Sequence, residues 1–438
     1  MLQRTLPYSA WLLFVASATV HSSPWLEADD AYLRSDLQLL SDAGLITAPI
    51  NHYPLRWSAF SDELKAINLE ALSESEKQAY YHLRHALSNA ELNRGNKRFK
   101  AVYGNRIPLD SGYGNSNKDE WGLYSSYEHL DDDFSFRLSS NYSKQLDKHT
   151  EDTEQLNWDG SYLTLNAGSW LLTVGALDRW WGQGWQHNLT LSQTSRPLPS
   201  LGASYQGGDN IFLGYWNVET FIAKLDSRTS DSQWSSRLVA RPLNILSLGI
   251  SYQAWSDTNR FRDGEQQLSG DVRVSLPSIT LSSESKIYHG VYGEFASTDK
   301  SSELGARLIG WDGQWSFSRQ SLRLALEKQT ITDEWQLNQW PNAGAQYPAN
   351  HSGKSSNSYL FGNSVSASLY LQFSNDHNLS LIGANYEENV ITGVSEYDVL
   401  QANYTMPFQQ GKLNFGIGKV SALKESNSQF WIGYDLRF

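Results

Sequence analysis

Cysteine is absent from this 438-residue chain, and methionine occurs only twice. Without cysteine the chain has neither a disulfide framework nor thiolate chemistry. Positive charge is also scarce, since 35 Lys and Arg stand against 47 Asp and Glu, a net charge of −12 at pH 7. No basic field therefore attracts nucleic-acid phosphates. After Val20 the chain has no apolar run of about 18 residues, so the sequence predicts no transmembrane helix.

The first 22 residues have the organisation of a secretory signal peptide. Arg4 gives a positively charged start. Ala10 to Val20 (AWLLFVASATV) then form an apolar core that is too short to span a bilayer. We assign residues 1–22 to the signal, which predicts an exported protein.

Residues 23–95 follow the 3.6-residue period of α-helices and predict a small helical bundle. A first helix with Leu33, Leu37 and Leu40 on one face ends at Gly44. Side chains that suit helix N-caps precede each of three helices: Asp29 or Asp30, then Ser58 or Ser61, then Ser73 with Glu76 as a capping box.

From Phe99 to the end, the period falls to two. Short segments alternate apolar residues with Ser, Gly, Asn or Arg and often carry an aromatic near one end. This pattern is typical of a transmembrane antiparallel β-barrel. The last segment, Phe430 to Phe438, alternates five times and ends on an aromatic, whereas a soluble β-sandwich, the alternative, seldom ends this way. At about 19 residues per strand with its loop, residues 96–438 predict about 18 strands. Three long polar segments, Asn141 to Glu154, Ser256 to Gln267 and Thr330 to Ser358, are expected to be loops between strands.

The stretch from Gly175 to Leu201 combines charges, glycines and three tryptophans in a way that no simple strand needs. Aromatic faces beside Arg and Asp are suited to sugars, but a tightly packed strand corner explains the same mixture. Charged side chains on barrel strands should face inward, where they either form a salt-bridge network or contact an anionic polymer. The candidate ligand-binding residues are Asp178, Arg179, Trp180, Trp181, Trp185, Arg196 and Arg241.

Residues 174–201, VGALDRWWGQGWQHNLTLSQTSRPLPSL, closely resemble the strongest motif of the Wzi-type capsule-assembly outer-membrane proteins. Ala240-Arg241-Pro242 and the N-terminal LRSDLQLLSDAGLITAPI also match, whereas Gln183 departs from a family proline. The resemblance implies a barrel of about 18 strands with a helical bundle at its periplasmic end. It also implies lectin-like retention of capsular polysaccharide or exopolysaccharide, with neither catalysis nor a metal.

We therefore expect a non-enzymatic outer-membrane barrel that binds a surface polysaccharide, without cofactor or metal. No catalytic motif stands in a convincing context. The expected partners are the polysaccharide, outer-membrane lipid and the polysaccharide export machinery, and we expect a monomer. The alternative function is a passive or sugar-selective outer-membrane channel, provided that the bundle leaves the lumen open.

Overall fold

The protein is described here by a computed structural model that covers residues 24–92, 96–105, 112–114, 119–131, 133–146, 152–191, 197–224, 232–256, 266–281, 286–298, 303–317, 320–332, 363–390, 393–422 and 426–438. The predicted signal peptide, Arg196 and most of the long segment from Thr330 to Ser358 lie outside the described residues.

Three helices lie in the N-terminal segment, as the 3.6-residue period predicted. Helix α1 (Ala31–Asp42) starts after Asp30, whose side chain accepts hydrogen bonds from two main-chain amides of the first turn. Gly44 follows this helix with a φ of 73°, the left-handed conformation that favours glycine. Helix α2 spans Ser61–Ala66, and helix α3 (Glu74–Glu91) begins with the predicted capping box of Ser73 and Glu76. None of the described helices is long and apolar enough to cross a membrane.

Most of the described chain is β-strand. The short strands outside the barrel are β1 (Trp25–Leu26), β2 (His52–Tyr53), β3 (Leu55–Arg56) and β10 (Trp180–Trp181). The barrel strands are β4 (Lys97–Gly104), β5 (Trp121–Leu130), β6 (Phe134–Leu146), β7 (Asp152–Asn157), β8 (Tyr162–Ala167), β9 (Trp170–Ala176), β11 (Pro199–Asn210), β12 (Gly214–Lys224), β13 (Ser232–Leu243), β14 (Leu246–Ser256), β15 (Gln266–Thr280), β16 (Lys286–Ser297), β17 (Leu304–Phe317), β18 (Gln320–Ile331), β19 (Asn363–Gln372), β20 (Asn378–Val390), β21 (Gly393–Phe408), β22 (Gly411–Ala422) and β23 (Ser426–Arg437).

Within the described part of the chain, β4–β9 and β11–β23 form a closed antiparallel barrel. Because β6 pairs with β7 along one half and with β8 along the other, these two share one position, and the wall has the 18 strands that were predicted. The last strand closes the barrel by pairing with β4, and Trp431 lies opposite Gly104. Phe430 and Ile432 of this strand face outward, as the alternation predicted. Closure leaves no strand edge of this pair in lipid.

One predicted loop is partly strand. The polar segment from Asn141 to Glu154 was expected to be a loop, but β6 continues to Leu146 and pairs with β7 from Asp152. Asn141, Ser143 and Lys144 make this extension largely polar, which hid its strand character.

The N-terminal segment packs inside the barrel. Helix α1 contacts β16 and β19, and α3 contacts β17. One cluster of buried apolar side chains joins the helices to the wall. It includes Leu37 of α1, Leu83 of α3, and Leu308 and Tyr386 of the wall. The bundle and the barrel therefore share a core.

Candidate functional site in the barrel lumen

The three tryptophans of the motif in residues 174–201, which we call the Trp-rich motif, leave the wall and fold into the lumen. After β9 the chain turns inward, and β10 pairs with β2 of the N-terminal segment. The amide of Trp181 donates to the carbonyl of Leu191 at 2.9 Å and closes a hairpin. We call residues 177–191 the lumen hairpin. Trp180 and Trp181 are 0% exposed and Trp185 is 1% exposed, so all three rings contact protein.

Glu294 of β16 binds one side of the lumen hairpin through its main chain. One carboxylate oxygen accepts hydrogen bonds from the amides of Gln183 at 2.7 Å and Gly184 at 2.8 Å. The other accepts from the amide of Leu189 at 2.8 Å. Charge-assisted hydrogen bonds of this kind are about twice as strong as neutral ones.

Glu327 of β18 binds the next part of the hairpin in the same manner. It accepts from the amides of Trp185, of Gln186 at 3.1 Å and of His187 at 3.0 Å. The hydroxyl of Tyr292 donates to it at 2.8 Å. Two wall carboxylates thus satisfy six main-chain N–H groups that would otherwise be buried without partners.

Gly182 and Gly184 permit this close approach. A Cβ atom at Gly184 would overlap the carbonyl oxygen of His187, and one at Gly182 would overlap the carboxylate of Glu294. Both glycines are therefore required by packing against the carboxylates that hold the hairpin.

Arg34 of α1 binds the opposite side of the hairpin. Its guanidinium donates to the carbonyls of Gly184 at 2.8 Å and Gln183 at 2.7 Å. The same group lies 4.2 Å from the centroid of the Trp185 ring and 4.4 Å from that of Tyr113, within cation–π range. The hairpin is therefore held between the helical segment and the wall.

Gln183, the departure from the family proline, takes part in this network. Its amide donates to Glu294, and its side-chain amide donates to Asp271 at 3.0 Å. A proline has no N–H to donate, so this chain has a main-chain bond at this position that a proline would lack.

The predicted inward charges are bonded within the lumen, by salt bridges or by main-chain carbonyls. Arg179 pairs with Glu219 at 2.9 Å and lies over the ring of Phe221 at 3.9 Å. Arg241 donates to the carbonyls of Ser41 at 2.7 Å and Ile46 at 2.8 Å, next to the end of α1.

Arg237 belongs to the same network. It pairs with Asp271 at 2.6 Å and donates to the carbonyl of Asn51 at 2.9 Å. Burial, with the charge of Arg237, lowers the pKa of the neighbouring His52 to about 3. The ring of His52 under the hairpin is therefore neutral.

Asp178 is only half-buried, unlike the three tryptophans of the motif. The helical segment and the lumen hairpin together form the plug of the barrel. Asp178 lines a cavity of about 160 Å³ between this plug and strands β4–β6, together with Trp25, Tyr124 and Pro197. The structure therefore buries Arg179 and the three tryptophans in the plug, buries Arg241 of wall strand β13 against it, and leaves Asp178 at a cavity.

Sequence reasoning missed Arg34, Glu294 and Glu327, which bind the motif directly. The signal available for the two glutamates was an inward carboxylate in β16 and in β18, where Arg323 lies on the same inward face as Glu327. Among the described residues, no three His, Asp or Glu side chains are grouped as a metal site would require.

A closed antiparallel barrel whose lumen holds a helical segment and an inward hairpin defines a plugged barrel of the outer-membrane type. The family described as capsule assembly protein Wzi matches residues 92–256 of this chain. The resemblance to the Wzi-type proteins is thereby confirmed, and the matched region includes the lumen hairpin.

Two solved structures have the same fold. One is Wzi of Escherichia coli, an outer membrane protein involved in group 1 capsule assembly and a carbohydrate-binding β-barrel. It is 16% identical, with a TM-score of 0.78 over 94% of this chain and 99% of that chain. The other is OccAB3 of Acinetobacter baumannii, 10% identical, with a TM-score of 0.51 over 78% of this chain and 98% of that chain. A comparison with curated proteins gave no match.

Proposed function

We propose that this protein binds a surface polysaccharide at the outer membrane and retains it there without catalysis. The match to the Wzi family and the fold of the carbohydrate-binding E. coli protein support this ligand class. The observation that carries the proposal is the filled lumen, because a plug bound by two wall carboxylates and Arg34 opposes solute passage. Weak contacts repeated along one polymer would add up through multivalency.

We further propose that residues 1–22 direct export and that the helical bundle of residues 23–95 lies at the periplasmic end of the barrel. The longest break between two consecutive barrel strands, from Ile331 of β18 to Asn363 of β19, falls at the end of the barrel opposite the start of β4 and the end of β23. Outer-membrane barrels place short turns in the periplasm and long loops outside, which supports this orientation. The polysaccharide export machinery is a further partner in this proposal, and the protein acts as a monomer.

The candidate ligand residues enter the proposal with two separable roles. Arg179, Arg241 and the three tryptophans have buried partners, so their substitution is expected to change stability first. Asp178 lines a cavity, and Asp178→Asn is therefore the variant of choice for polymer binding. Binding of the host polysaccharide and thermal unfolding of the same preparation separate the two roles. A variant that loses binding at unchanged stability identifies a ligand residue.

The decisive experiment compares a deletion strain with its parent. We expect unchanged polymer synthesis, less polymer on the cells and more in the medium, with purified protein capturing the host's own surface polysaccharide in a pull-down. Unchanged cell-bound polymer in the deletion strain would overturn the proposal. Turnover of the polymer by purified protein would contradict the non-catalytic role.

Conductance in planar bilayers tests the channel alternative. A filled lumen predicts no steady current from the purified wild-type protein. Steady single-channel steps would instead favour the channel.

A further inference from the structure

The outer wall carries a groove of about 800 Å³ across strands β16–β21, on the face opposite the plug. Its floor consists of Ala367 on β19 and Gly383 on β20, which lie opposite each other in the ladder. Leu326 flanks Ala367 and Leu400 flanks Gly383, and these leucines are 44% and 65% exposed. These two leucines form the banks of the groove, which lie three strand spacings, about 14 Å, apart.

The floor of this groove is bare, in contrast to the outer wall at Gly207 and Gly313. At Gly207 an added Cβ would overlap the indole of Trp216, and at Gly313 it would meet the ring of Trp311 at 2.9 Å. At Gly383 an added Cβ would have no atom within 4 Å. The wall thus covers those two glycines with its own aromatic rings and leaves Gly383 open to an apolar occupant.

Two cations stand above one bank of the groove. Arg307 is near the loop end of β17 and Lys328 near the loop end of β18, and both side chains are exposed. Lys328 lies opposite Ile309, so Arg307 is its diagonal neighbour, about 7–8 Å away between Cα atoms. In the part of the chain that the structure describes, neither forms an ion pair or a side-chain hydrogen bond.

Two unpaired like charges at this spacing repel each other unless an anion lies between them. Arg and Lys both bind phosphate oxygens well, and long cationic side chains reach toward a headgroup from a lipid-facing wall. The far bank is unsuitable for an anion, because it carries Asp398, which accepts a hydrogen bond from Asn385 at 2.9 Å. The charge distribution therefore places an anionic headgroup on the Leu326 side of the groove, beside Arg307 and Lys328.

We propose that this groove binds a phosphorylated acyl lipid of the surrounding membrane. One acyl chain lies along Ala367 and Gly383, and the phosphate lies between Arg307 and Lys328. This site is on the outer wall and does not depend on polysaccharide binding.

The test uses detergent-solubilised full-length protein titrated with diphosphoryl lipid A and with the dephosphorylated lipid carrying the same acyl chains. Native mass spectrometry counts bound lipid. The wild type should bind the phosphorylated lipid about tenfold more tightly, since about 1.4 kcal/mol corresponds to a factor of ten. Arg307→Gln with Lys328→Gln should remove this preference. Gly383→Leu should weaken the binding of both lipids, because the leucine side chain occupies the floor of the groove.

A matched control replaces two outward lysines elsewhere on the wall, Lys224→Gln with Lys419→Gln, and should retain the preference. Heat-modifiable migration in gels confirms that every variant forms the barrel. Equal affinity of the wild type for the two lipids would overturn the proposal, as would an equal loss in the control. A dimer mass that Gly383→Leu abolishes would assign the groove to a second copy of the chain and also overturn it.

Discussion

The two halves of the plug, the helical segment and the lumen hairpin, are held in the barrel by different bonds. The helical segment docks through apolar side chains, through pairs between side chains such as Asp42 with Arg273 at 2.9 Å, and through carbonyls that accept from wall arginines such as Arg241. The hairpin is bound mainly through its main chain, by the carboxylates of Glu294 and Glu327. A side-chain pair that is lost leaves one or two groups without partners. A lost carboxylate leaves three amides buried without acceptors. We therefore expect a single substitution to destabilise the lumen hairpin more than the helical segment.

The largest effect is expected for Glu327→Ala. Removing the carboxylate leaves the amides of Trp185, Gln186 and His187 without an acceptor. We expect the free energy of unfolding to fall by about 3–5 kcal/mol, measured by denaturant titration. Loosening of the hairpin should also produce current in planar bilayers.

The matched control for this variant is Glu387→Ala, since Glu387 is exposed on the outer face. Its unfolding free energy should change by less than about 0.5 kcal/mol. Equal losses in the two variants would show that the carboxylate of Glu327 does not hold the hairpin.

Gly184→Ala should have the next largest effect. A Cβ at this position overlaps the carbonyl oxygen of His187, so the hairpin must shift, at a cost of about 1–3 kcal/mol. Gly383→Ala on the outer wall is the control, because nothing lies within 4 Å of its added Cβ. Thermal unfolding of both proteins in the same detergent measures the difference. Similar midpoints would contradict the packing role of Gly184.

Asp42→Asn probes the helical half and should cost less. Asp42 accepts from Arg273 at 2.9 Å and from Ser275 at 2.6 Å. Because Arg273 also pairs with Asp312, the guanidinium keeps a partner, and asparagine keeps one acceptor. We expect a loss of about 1–2 kcal/mol in the free energy of unfolding, smaller than for Glu327→Ala. A larger loss would reverse the ranking of the two halves.

Local and periodic features of this chain were predictable from sequence, whereas its long-range contacts were not. The capping box at Ser73 and the alternation of β23 depend on neighbours in the chain, and both are confirmed. The partners of the Trp-rich motif come from positions more than 100 residues away, such as Glu294 and Glu327. Their side chains look like ordinary inward charges of a barrel strand. Composition therefore identified the motif but could not distinguish a sugar surface from a buried plug.

The smallest effect concerns the contact between the two long helices. His82 of α3 lies 2.9 Å from Asp36 of α1. Burial lowers the pKa of His82, but the hydrogen bond and charge of Asp36 outweigh it, so that the pKa is raised overall. Burial also raises the pKa of Asp36, and His82 opposes this increase.

A raised histidine pKa gives stability that is fully present below the unfolded value of about 6.5 and is lost as the pH rises through the folded value. The wild type should therefore be more stable near pH 6 than near pH 9, by less than about 1 kcal/mol. His82→Asn should flatten this dependence, whereas His85→Asn, at an exposed position of the same helix, should preserve it. Denaturant titrations of the wild type and both variants at the two pH values measure these stability differences. An unchanged slope in His82→Asn would show that the pH dependence arises elsewhere and that this pair only positions the helices.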